Sequence, residues 1–233
     1  MLHQPGNENK FDTSYHNVIV NKPWGHEYLC YQNEELAIWF LFIREGERTS
    51  LHCHPNKNTG FVVLDGEVEL SFLRNSLRLC GLDKIHIFRS RFHSTRAISS
   101  PGAFILEIET PEDKHDLVRL EDNYGREGTS YEGRNHEIPK AEDCLWIGEP
   151  NEADFVSEAR GCSLRHFLAD SQEKVRGFSE KDFFVISRGG LIAQPGAPIL
   201  WPGDVIDGVS LERLSKSFNL IPGTTLLHIR TLS

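Results

Sequence analysis

Short runs of hydrophobic residues recur along the whole chain, and no long segment keeps the 3.6-residue period of an amphipathic helix. The longest of these runs, residues 36–43, suits a buried strand and is far shorter than the roughly 20 residues that a membrane-spanning helix needs. The pattern therefore predicts an all-β fold, either a sandwich or a barrel.

The clearest local prediction is a β-hairpin over residues 61–72. An apolar run is followed by Asp65 and Gly66, a dipeptide typical of tight hairpin turns, and then by strict alternation of polar and apolar residues. Because alternate residues of a strand point to the same side, we expect one set from the second arm to face the core. This set consists of Val68, Leu70 and Phe72.

The chain also resembles itself. Residues 101–110, a Pro-Gly turn followed by an apolar run, are similar to residues 222–231 at an offset of 121, and Asp83 corresponds to Asp204 at the same offset. We interpret this similarity as two related β-units. Chance matching of Pro-Gly turns that precede apolar strands is the alternative.

Three segments follow from this interpretation. Residues 15–112 form the first β-barrel, and residues 156–233 form a second, degenerate barrel. Residues 113–155 are charged and rich in Gly, Asn and Pro, which is typical of a linker that crosses the surface.

Composition narrows the classes of partner. The chain has 233 residues and a formal charge of −9, which argues against nucleic acid as the main partner and leaves small molecules, including anions, open. Five cysteines without a CxxC pair fit a reducing compartment. The polar N-terminus indicates neither a signal peptide nor a membrane anchor, so we expect a cytoplasmic protein.

Three histidines are the candidate metal ligands. In an extended strand His52 and His54 point to the same side, and His93, far along the chain, could complete the set. Neutral imidazole is a common metal ligand, and three of them leave coordination positions open, as catalytic sites require. The alternative is that these histidines face solvent or are hydrogen-bonded in the core.

Other polar residues are candidates for substrate contact. Arg89 and Arg91 share the parity of His93, so in an extended segment their guanidinium groups could bind a phosphate or carboxylate. Lys57 follows His54 in the predicted turn, and Trp24 could stack on a sugar ring. Each also has an ordinary structural explanation: solvated or ion-paired arginines, a loop lysine and a core tryptophan.

The spacing around the paired histidines resembles the first motif of the cupin superfamily. That motif runs Gly, five residues, His-x-His, three or four residues, Glu, six residues, Gly. Here Gly46, His52, His54, Thr59 and Gly66 match every spacing and every residue type except the glutamate. The second cupin motif, a Gly-Asp-type turn followed by a histidine, is matched loosely by residues 81–83 and His93.

Residues 22–27, 46–66 and 116–126 more narrowly resemble the cupin domain of type II mannose-6-phosphate isomerases, over about residues 15–130. The resemblance implies a β-barrel that holds a divalent metal and chemistry on phosphorylated or nucleotide-linked sugars. The second unit contains no His-x-His, so it is similar to a cupin that has lost its metal ligands, and the chain as a whole is similar to a bicupin.

Thr59 occupies the position where the cupin motif supplies a carboxylate ligand. Three outcomes are open: a three-histidine site, a site completed by another carboxylate such as Glu109, or a site that holds no metal. Imidazole ligands suit a divalent transition metal such as zinc, iron, nickel or manganese better than magnesium or calcium.

The function that this resemblance implies is a metal-dependent isomerase or epimerase of a sugar or sugar phosphate. In such chemistry a Lewis-acidic metal polarises a carbonyl group while a nearby base moves a proton. Three residues are candidates for that base: Glu109, Lys57 and His86. The alternatives are a three-histidine non-haem iron dioxygenase and a non-enzymatic cupin that binds a sugar or small acid. We expect a homodimer, because edge strands of cupin-like barrels commonly pair between subunits.

Overall fold

The computed structural model describes residues 15–128, 136–137, 144–150, 155–194 and 196–232. Their regular structure is almost entirely β-strand, arranged in antiparallel sheets, which confirms the predicted all-β class. No helix in this part of the chain is long and apolar enough to cross a membrane.

The first unit consists of two sheets. Its strands are β1 (Ile19–Lys22), β2 (Gly25–Gln32), β3 (Ala37–Arg44), β4 (Leu51–Cys53), β5 (Asn58–Asp65), β6 (Glu67–Phe72), β7 (Ser76–Cys80), β8 (Lys84–Ile87), β9 (His93–Ala97), β10 (Gly102–Thr110), β11 (Val118–Glu121) and β12 (His136–Glu137). One sheet has the order β12-β1-β2-β3-β10-β5-β8, and the other has the order β11-β4-β9-β6-β7. The eight strands β3 to β10 thus have the order 1-8-3-6 in one sheet and 2-7-4-5 in the other, which defines a double-stranded β-helix, or jelly roll.

The predicted hairpin over residues 61–72 is wrong, although both of its strands exist and Val68 and Leu70 are buried as expected. β5 pairs with β8 and β10, whereas β6 pairs with β7 and β9 in the other sheet. The chain therefore turns a corner between two sheets at Gly66, where φ is +85°. A hairpin within one sheet and a corner between two sheets both consist of a tight turn between two alternating strands. The sequence pattern therefore could not distinguish them.

The second unit repeats this plan with one strand missing. Its elements are β13 (Val156–Ala159), β14 (Cys162–Leu168), a 3₁₀ helix (Gln172–Val175), β15 (Asp182–Arg188), β16 (Leu191–Ile192), β17 (Pro198–Leu200), β18 (Val205–Asp207), α1 (Gly208–Ser217), β19 (Asn219–Leu220) and β20 (Thr225–Thr231). If β14 is counted as position 1 and β15 to β20 as positions 3 to 8, the sheet β14-β20-β15-β18 again has the order 1-8-3-6. The sheet β17-β16-β19 then contains positions 5, 4 and 7. The 3₁₀ helix follows β14 and lies in the place of the second strand, so this unit lacks one strand as well as the histidine pair.

The internal repeat extends to individual hydrogen bonds. The side chain of Asp83 accepts a hydrogen bond from the backbone N–H of Cys80 at 2.8 Å, and the side chain of Asp204 accepts the same bond from Trp201 at 2.8 Å. Asp204 therefore holds a turn in the second unit, as Asp83 does in the first.

Among the described residues, three hydrophobic cores explain why so many strands are apolar on both faces. The interior of the first barrel contains Trp39, Leu41, Phe61, Val63, Leu70 and Ile105, and the interior of the second contains Phe184, Ile186, Leu211 and Leu226. A third core lies between the units and contains, among others, Tyr28, Phe40, Leu106, Val185, Leu227 and Ile229. The two units therefore share buried surface.

The segment expected to be a linker packs against the first unit where the structure describes it. β11 pairs with β4, and β12 pairs with β1. Leu145 and Ile147 are buried in the core between the units. β11 is an edge strand, so most of its residues are exposed and polar. A surface linker has the same polar composition, and the sequence pattern therefore did not distinguish the two.

Candidate metal centre

The three histidines that the spacing singled out meet inside the first barrel. β4 and β9 pair directly at His52 and His93, and His54 follows β4 on the same side as His52. The ring centroids are 4.5 Å apart for His52 and His93, 5.0 Å for His52 and His54, and 5.6 Å for His54 and His93. One ring nitrogen from each lies within 4.8 Å of the other two.

Each imidazole is held by a main-chain carbonyl group. Nδ1 of His52 donates a hydrogen bond to the carbonyl oxygen of Ser50 at 2.8 Å. Nδ1 of His54 donates to that of Asp116 at 2.6 Å, and Nδ1 of His93 donates to that of Arg91 at 2.9 Å. Because Nδ1 carries the proton, Nε2 of each ring keeps its lone pair. The Nε2 atoms of His54 and His93 are buried and have no hydrogen-bond partner among the described residues. These donors fit a divalent transition metal ion.

Burial and neighbouring charges keep the three imidazole rings neutral. Burial lowers the pKa of His93 to about 4. Burial, with the nearby His93, also lowers the pKa of His52 well below its ordinary value, and burial with the nearby Lys57 does the same for His54. Neutral imidazole is the form that binds metal, so the site is prepared for an ion at physiological pH.

Thr59 does not replace the carboxylate of the cupin motif. It is buried on β5, and its hydroxyl group has no hydrogen-bond partner among the described residues. Directly across the sheet lies Glu109 on β10, and a carboxylate oxygen of Glu109, one of Glu107 and a ring nitrogen of His54 lie within 4.8 Å of one another. Carboxylates are therefore present next to the histidines, but they come from a different strand.

A buried network of ion pairs holds Glu109 in place. Lys57 Nζ lies 2.7 Å from Glu109 Oε1, and Lys114 Nζ lies 3.5 Å from the same oxygen. Lys114 and Lys22 both reach Glu27, at 3.4 Å and 3.8 Å. Burial alone would raise the pKa of Glu109, but Lys114 and Lys57 outweigh it and lower this pKa, so Glu109 is a fixed anion.

Glu107 has the opposite character. It is buried on β10, two residues before Glu109 and on the same face of the strand. Burial, and then the negative charge of Glu109, raise the pKa of Glu107 well above its ordinary value. This carboxyl group can therefore hold a proton near neutral pH, which is the property of a general acid or base.

These groups surround one cavity of about 580 Å³, counting the solvent at its mouth. One wall is apolar and includes Trp24, Leu41 and Phe61, so Trp24 lies both in the core and at the cavity. The cavity is rich in cationic side chains, which are Lys22, Lys57, Lys114, Arg119 and Arg126. Such a lining favours an anionic ligand.

Three of the predicted residues lie elsewhere. His86 is on β8 with its ring 4.8 Å from that of Phe88, and it does not line this cavity. Arg89 and Arg91 are exposed in the connection between β8 and β9. Their prediction assumed an extended segment, but Ser90 has φ of +61° and the chain turns there. Arg91 contributes its carbonyl oxygen to His93 instead of its guanidinium group to the cavity.

Several residues of the site were not singled out from the sequence, namely Glu107, Glu27, Lys22, Lys114, Asp116, Arg119 and Arg126. A signal existed for most of them, because residues 22–27 and 116–126 carry the family resemblance. Asp116 shows why that segment matters: its carboxylate accepts hydrogen bonds from the backbone N–H groups of Asn56 and Lys57, both at 2.9 Å. It thereby positions the loop that follows His54.

Comparisons with known proteins gave structural likenesses only. No family model matches the chain, and no curated protein matches its sequence. KdgF from Halomonas sp. is similar at 16% identity over 42% of this chain and 90% of that one, with a TM-score of 0.39. An RmlC-like cupin from Shewanella frigidimarina (16% identity, 41% and 85%, TM-score 0.38) and the cupin domain of Schizosaccharomyces pombe Cnp3 (12%, 37% and 64%, TM-score 0.36) are also similar. The fold assignment therefore rests on the strand order described above.

Proposed function

We propose that this protein is a metal-dependent isomerase or epimerase that acts on a sugar or sugar phosphate. The observation that carries the proposal is the combination found in one cavity: three neutral imidazoles with available Nε2 atoms, a carboxyl group with a raised pKa, and a surplus of cationic side chains.

His52, His54 and His93 would hold the metal ion. An all-imidazole donor set favours zinc, iron or nickel, and manganese is also a candidate. When bound, such an ion acts as a Lewis acid that polarises a substrate carbonyl group and the neighbouring hydroxyl group.

Arg119 would bind the anionic group of the substrate. It lies on β11 directly opposite His52 and lines the cavity. A guanidinium group forms paired hydrogen bonds with phosphate or carboxylate. The lysines of the cavity are paired with Glu27 and Glu109, so most of their positive charge is neutralised within the protein.

Glu107 would move the proton. It removes a proton from the carbon next to the substrate carbonyl and returns it to the neighbouring carbon in an isomerase, or to the opposite face of the same carbon in an epimerase. Of the three bases predicted from the sequence, Glu109 is held by Lys57 and Lys114, Lys57 is held by Glu109, and His86 lies outside the cavity. Glu107 therefore replaces them in this role.

The test combines metal analysis with proton exchange. Protein purified without chelator is expected to contain about one transition-metal ion per chain by elemental analysis. The metal-containing protein is then incubated in D₂O with mannose 6-phosphate, glucose 6-phosphate and fructose 6-phosphate, and ¹H NMR follows deuterium incorporation next to the carbonyl carbon. Absence of exchange with every sugar in a metal-loaded sample would contradict the proposal. Sugar binding without exchange, unchanged by His52→Gln, would assign a binding protein.

A three-histidine iron dioxygenase is the second candidate, and the observation that favours it is the fixed state of the nearest carboxylate. Thr59 supplies no carboxylate, and Glu109 is engaged by two lysines, so neither residue adds a carboxylate to the three nitrogen ligands. Protein loaded with Fe(II) anaerobically and mixed with small thiol acids in an oxygen electrode separates the two. Oxygen uptake that depends on the thiol would favour the dioxygenase.

A further inference from the structure

The second barrel contains a groove that the proposed function does not use. It lies on the face of β14 and β20 that is opposite the core between the units, and it measures about 1170 Å³ counting the solvent at its mouth. Across these strands Arg165 pairs with His228, and His228 also pairs with Phe184 on β15. Two residues further along the same pair of strands, Ser163 is paired with Arg230. The groove is thus lined from adjacent strands of one sheet.

This groove corresponds in position to the cavity of the first barrel, but two glutamate positions of that cavity carry basic residues here. At the repeat offset of 121, Glu107 corresponds to His228, and Glu109 corresponds to Arg230. Trp39, which pairs with Glu107 on β3, corresponds to Arg165, which pairs with His228 on β14. Two acids of the first cavity are therefore replaced by bases, and a tryptophan of the first core is replaced by an arginine.

A buried carboxylate orients two of these bases. Asp182 is buried and accepts hydrogen bonds from the backbone N–H and the hydroxyl group of Ser179. Its Oδ1 atom lies 2.8 Å from His228 Nε2 and 3.3 Å from Arg230 Nε. Because Asp182 contacts the Nε atom of Arg230, the terminal amino groups of that guanidinium can donate hydrogen bonds to a ligand.

Arg165 is the unneutralised cation of the groove. Its side chain is exposed and forms no ion pair with any residue that the structure describes, whereas Lys174 at the same groove is paired with Asp170. The guanidinium carbon of Arg165 lies 6.0 Å from the ring centroid of Phe167. An unpaired guanidinium above an aromatic ring is suited to an oxyanion.

Aromatic rings complete the groove. Phe178 contacts the rings of Phe184 and His228, at centroid distances of 4.7 Å and 5.0 Å, and the rings of Phe184 and His228 are stacked at 4.8 Å. Phe167 and Phe178 both line the groove. Flat apolar groups can pack against such rings.

We propose that this groove binds a small organic oxyanion, a phosphate or a carboxylate that carries an aromatic or other flat apolar group, without a metal ion. Arg165 and Arg230 bind the oxyanion, and Phe167 and Phe178 contact the apolar group. The second unit is then a ligand-binding barrel in its own right, independent of the metal centre.

Isothermal titration calorimetry of the full chain tests this site with phenyl phosphate and inorganic phosphate as probes. Phenyl phosphate is expected to bind more tightly than phosphate because of the aromatic contacts. Arg165→Gln, at an exposed position without an ion pair, should weaken phenyl phosphate binding about tenfold. Arg213→Gln, an equal change of charge on an exposed residue of α1 outside the groove, should leave binding unchanged.

The position of the probe is checked independently of any variant. In the wild-type protein, phenyl phosphate should shift the ring ¹H–¹⁵N resonances of His228, assigned with His228→Gln. The proposal is overturned if Arg165→Gln binds as tightly as wild type, or if Arg119→Gln in the first cavity abolishes binding while His228 does not respond.

Discussion

At the scale of single residues, the metal centre depends on which nitrogen of each histidine carries the proton. Three main-chain carbonyl oxygens bind Nδ1 of His52, His54 and His93, and these carbonyls belong to Ser50, Asp116 and Arg91. Backbone acceptors cannot be removed by substituting their side chains. The backbone conformation therefore fixes the tautomer of each histidine. Only substitution of the histidines themselves removes the metal ligands.

His54→Gln is expected to lower metal affinity by more than about tenfold, since even the loss of a supporting contact costs that much. The measurement is competition with a coloured chelator. His86→Gln is the matched control, because His86 does not line the cavity. Equal metal affinity in wild type and His54→Gln would contradict the assignment of this ligand.

Glu107→Gln separates proton transfer from metal binding. The amide keeps the shape of the side chain but cannot exchange a proton, so deuterium incorporation into a sugar substrate should fall at least about 100-fold while metal content stays the same. Glu45→Gln, at an exposed position, is the control. Loss of metal in Glu107→Gln would instead make Glu107 a ligand, which its proximity to His54 allows.

At the scale of elements, the barrel depends on corners where the chain passes from one sheet to the other. At Gly66 between β5 and β6, a Cβ atom would lie 2.5 Å from the carbonyl oxygen of Gly102 at the start of β10. Such a corner requires both a positive φ and the absence of a side chain. Gly46 also has a positive φ, of +79°, but a Cβ atom there would meet nothing within 4 Å.

This pair of glycines gives a matched test. Gly46→Ala should lower the free energy of unfolding by about 1 kcal/mol, the cost of the backbone conformation alone. Gly66→Ala should cost about 3 kcal/mol because overpacking against the backbone of Gly102 is added. Urea denaturation measures both. Equal losses for the two variants would show that the corner relaxes without cost.

At the scale of the whole molecule, the two barrels are joined by a core of their own. Residues from both units are fully buried there, among them Leu106 of β10 and Leu227 of β20. Because burial of each large apolar side chain stabilises the fold by about 1.5–3 kcal/mol, neither unit keeps its full stability without the other.

Leu227→Ala should therefore destabilise both units together, by about 2–5 kcal/mol. Hydrogen exchange followed by mass spectrometry is the measurement, and the amides of β5 and β15 should lose protection in parallel. Loss of protection in β15 with β5 unchanged would mean that the barrels unfold independently.

His166 makes stability depend on pH at the junction of the units. Its Nδ1 atom donates to the carbonyl oxygen of Gly148 at 3.0 Å, its Nε2 atom accepts from the hydroxyl group of Ser187 at 2.7 Å, and its ring contacts Tyr31. Burial lowers the pKa of His166 from 6.5 to about 4. The unfolded chain takes up a proton near pH 6.5 and the folded chain only near pH 4, so this stabilisation is present above pH 6.5 and is lost between the two.

The loss from His166 amounts to about 3 kcal/mol over this range. Metal-free His166→Gln should therefore lose less stability than metal-free wild type between pH 7 and pH 4.5, as measured by urea denaturation. His115→Gln, at an exposed position, should follow the wild type. An identical pH dependence of wild type and His166→Gln would exclude this residue as the cause.

The sequence by itself determined the features that depend on local pattern. Alternation located strands, the repeat offset of 121 located the equivalent turns at Asp83 and Asp204, and the cupin spacing located His52 and His54. These features could be predicted because spacing along a strand fixes the side to which each residue points.

Only the tertiary structure decided which strands pair and which charges meet. β5 and β6 belong to different sheets, the chain turns at Ser90 and carries Arg89 and Arg91 away from the cavity, and Lys57 neutralises Glu109 while leaving Glu107 protonatable. Each of these outcomes joins residues that are distant in the chain or depends on burial. The physical reason is that pairing, ionisation and desolvation are set by neighbours in space, which a one-dimensional pattern does not contain.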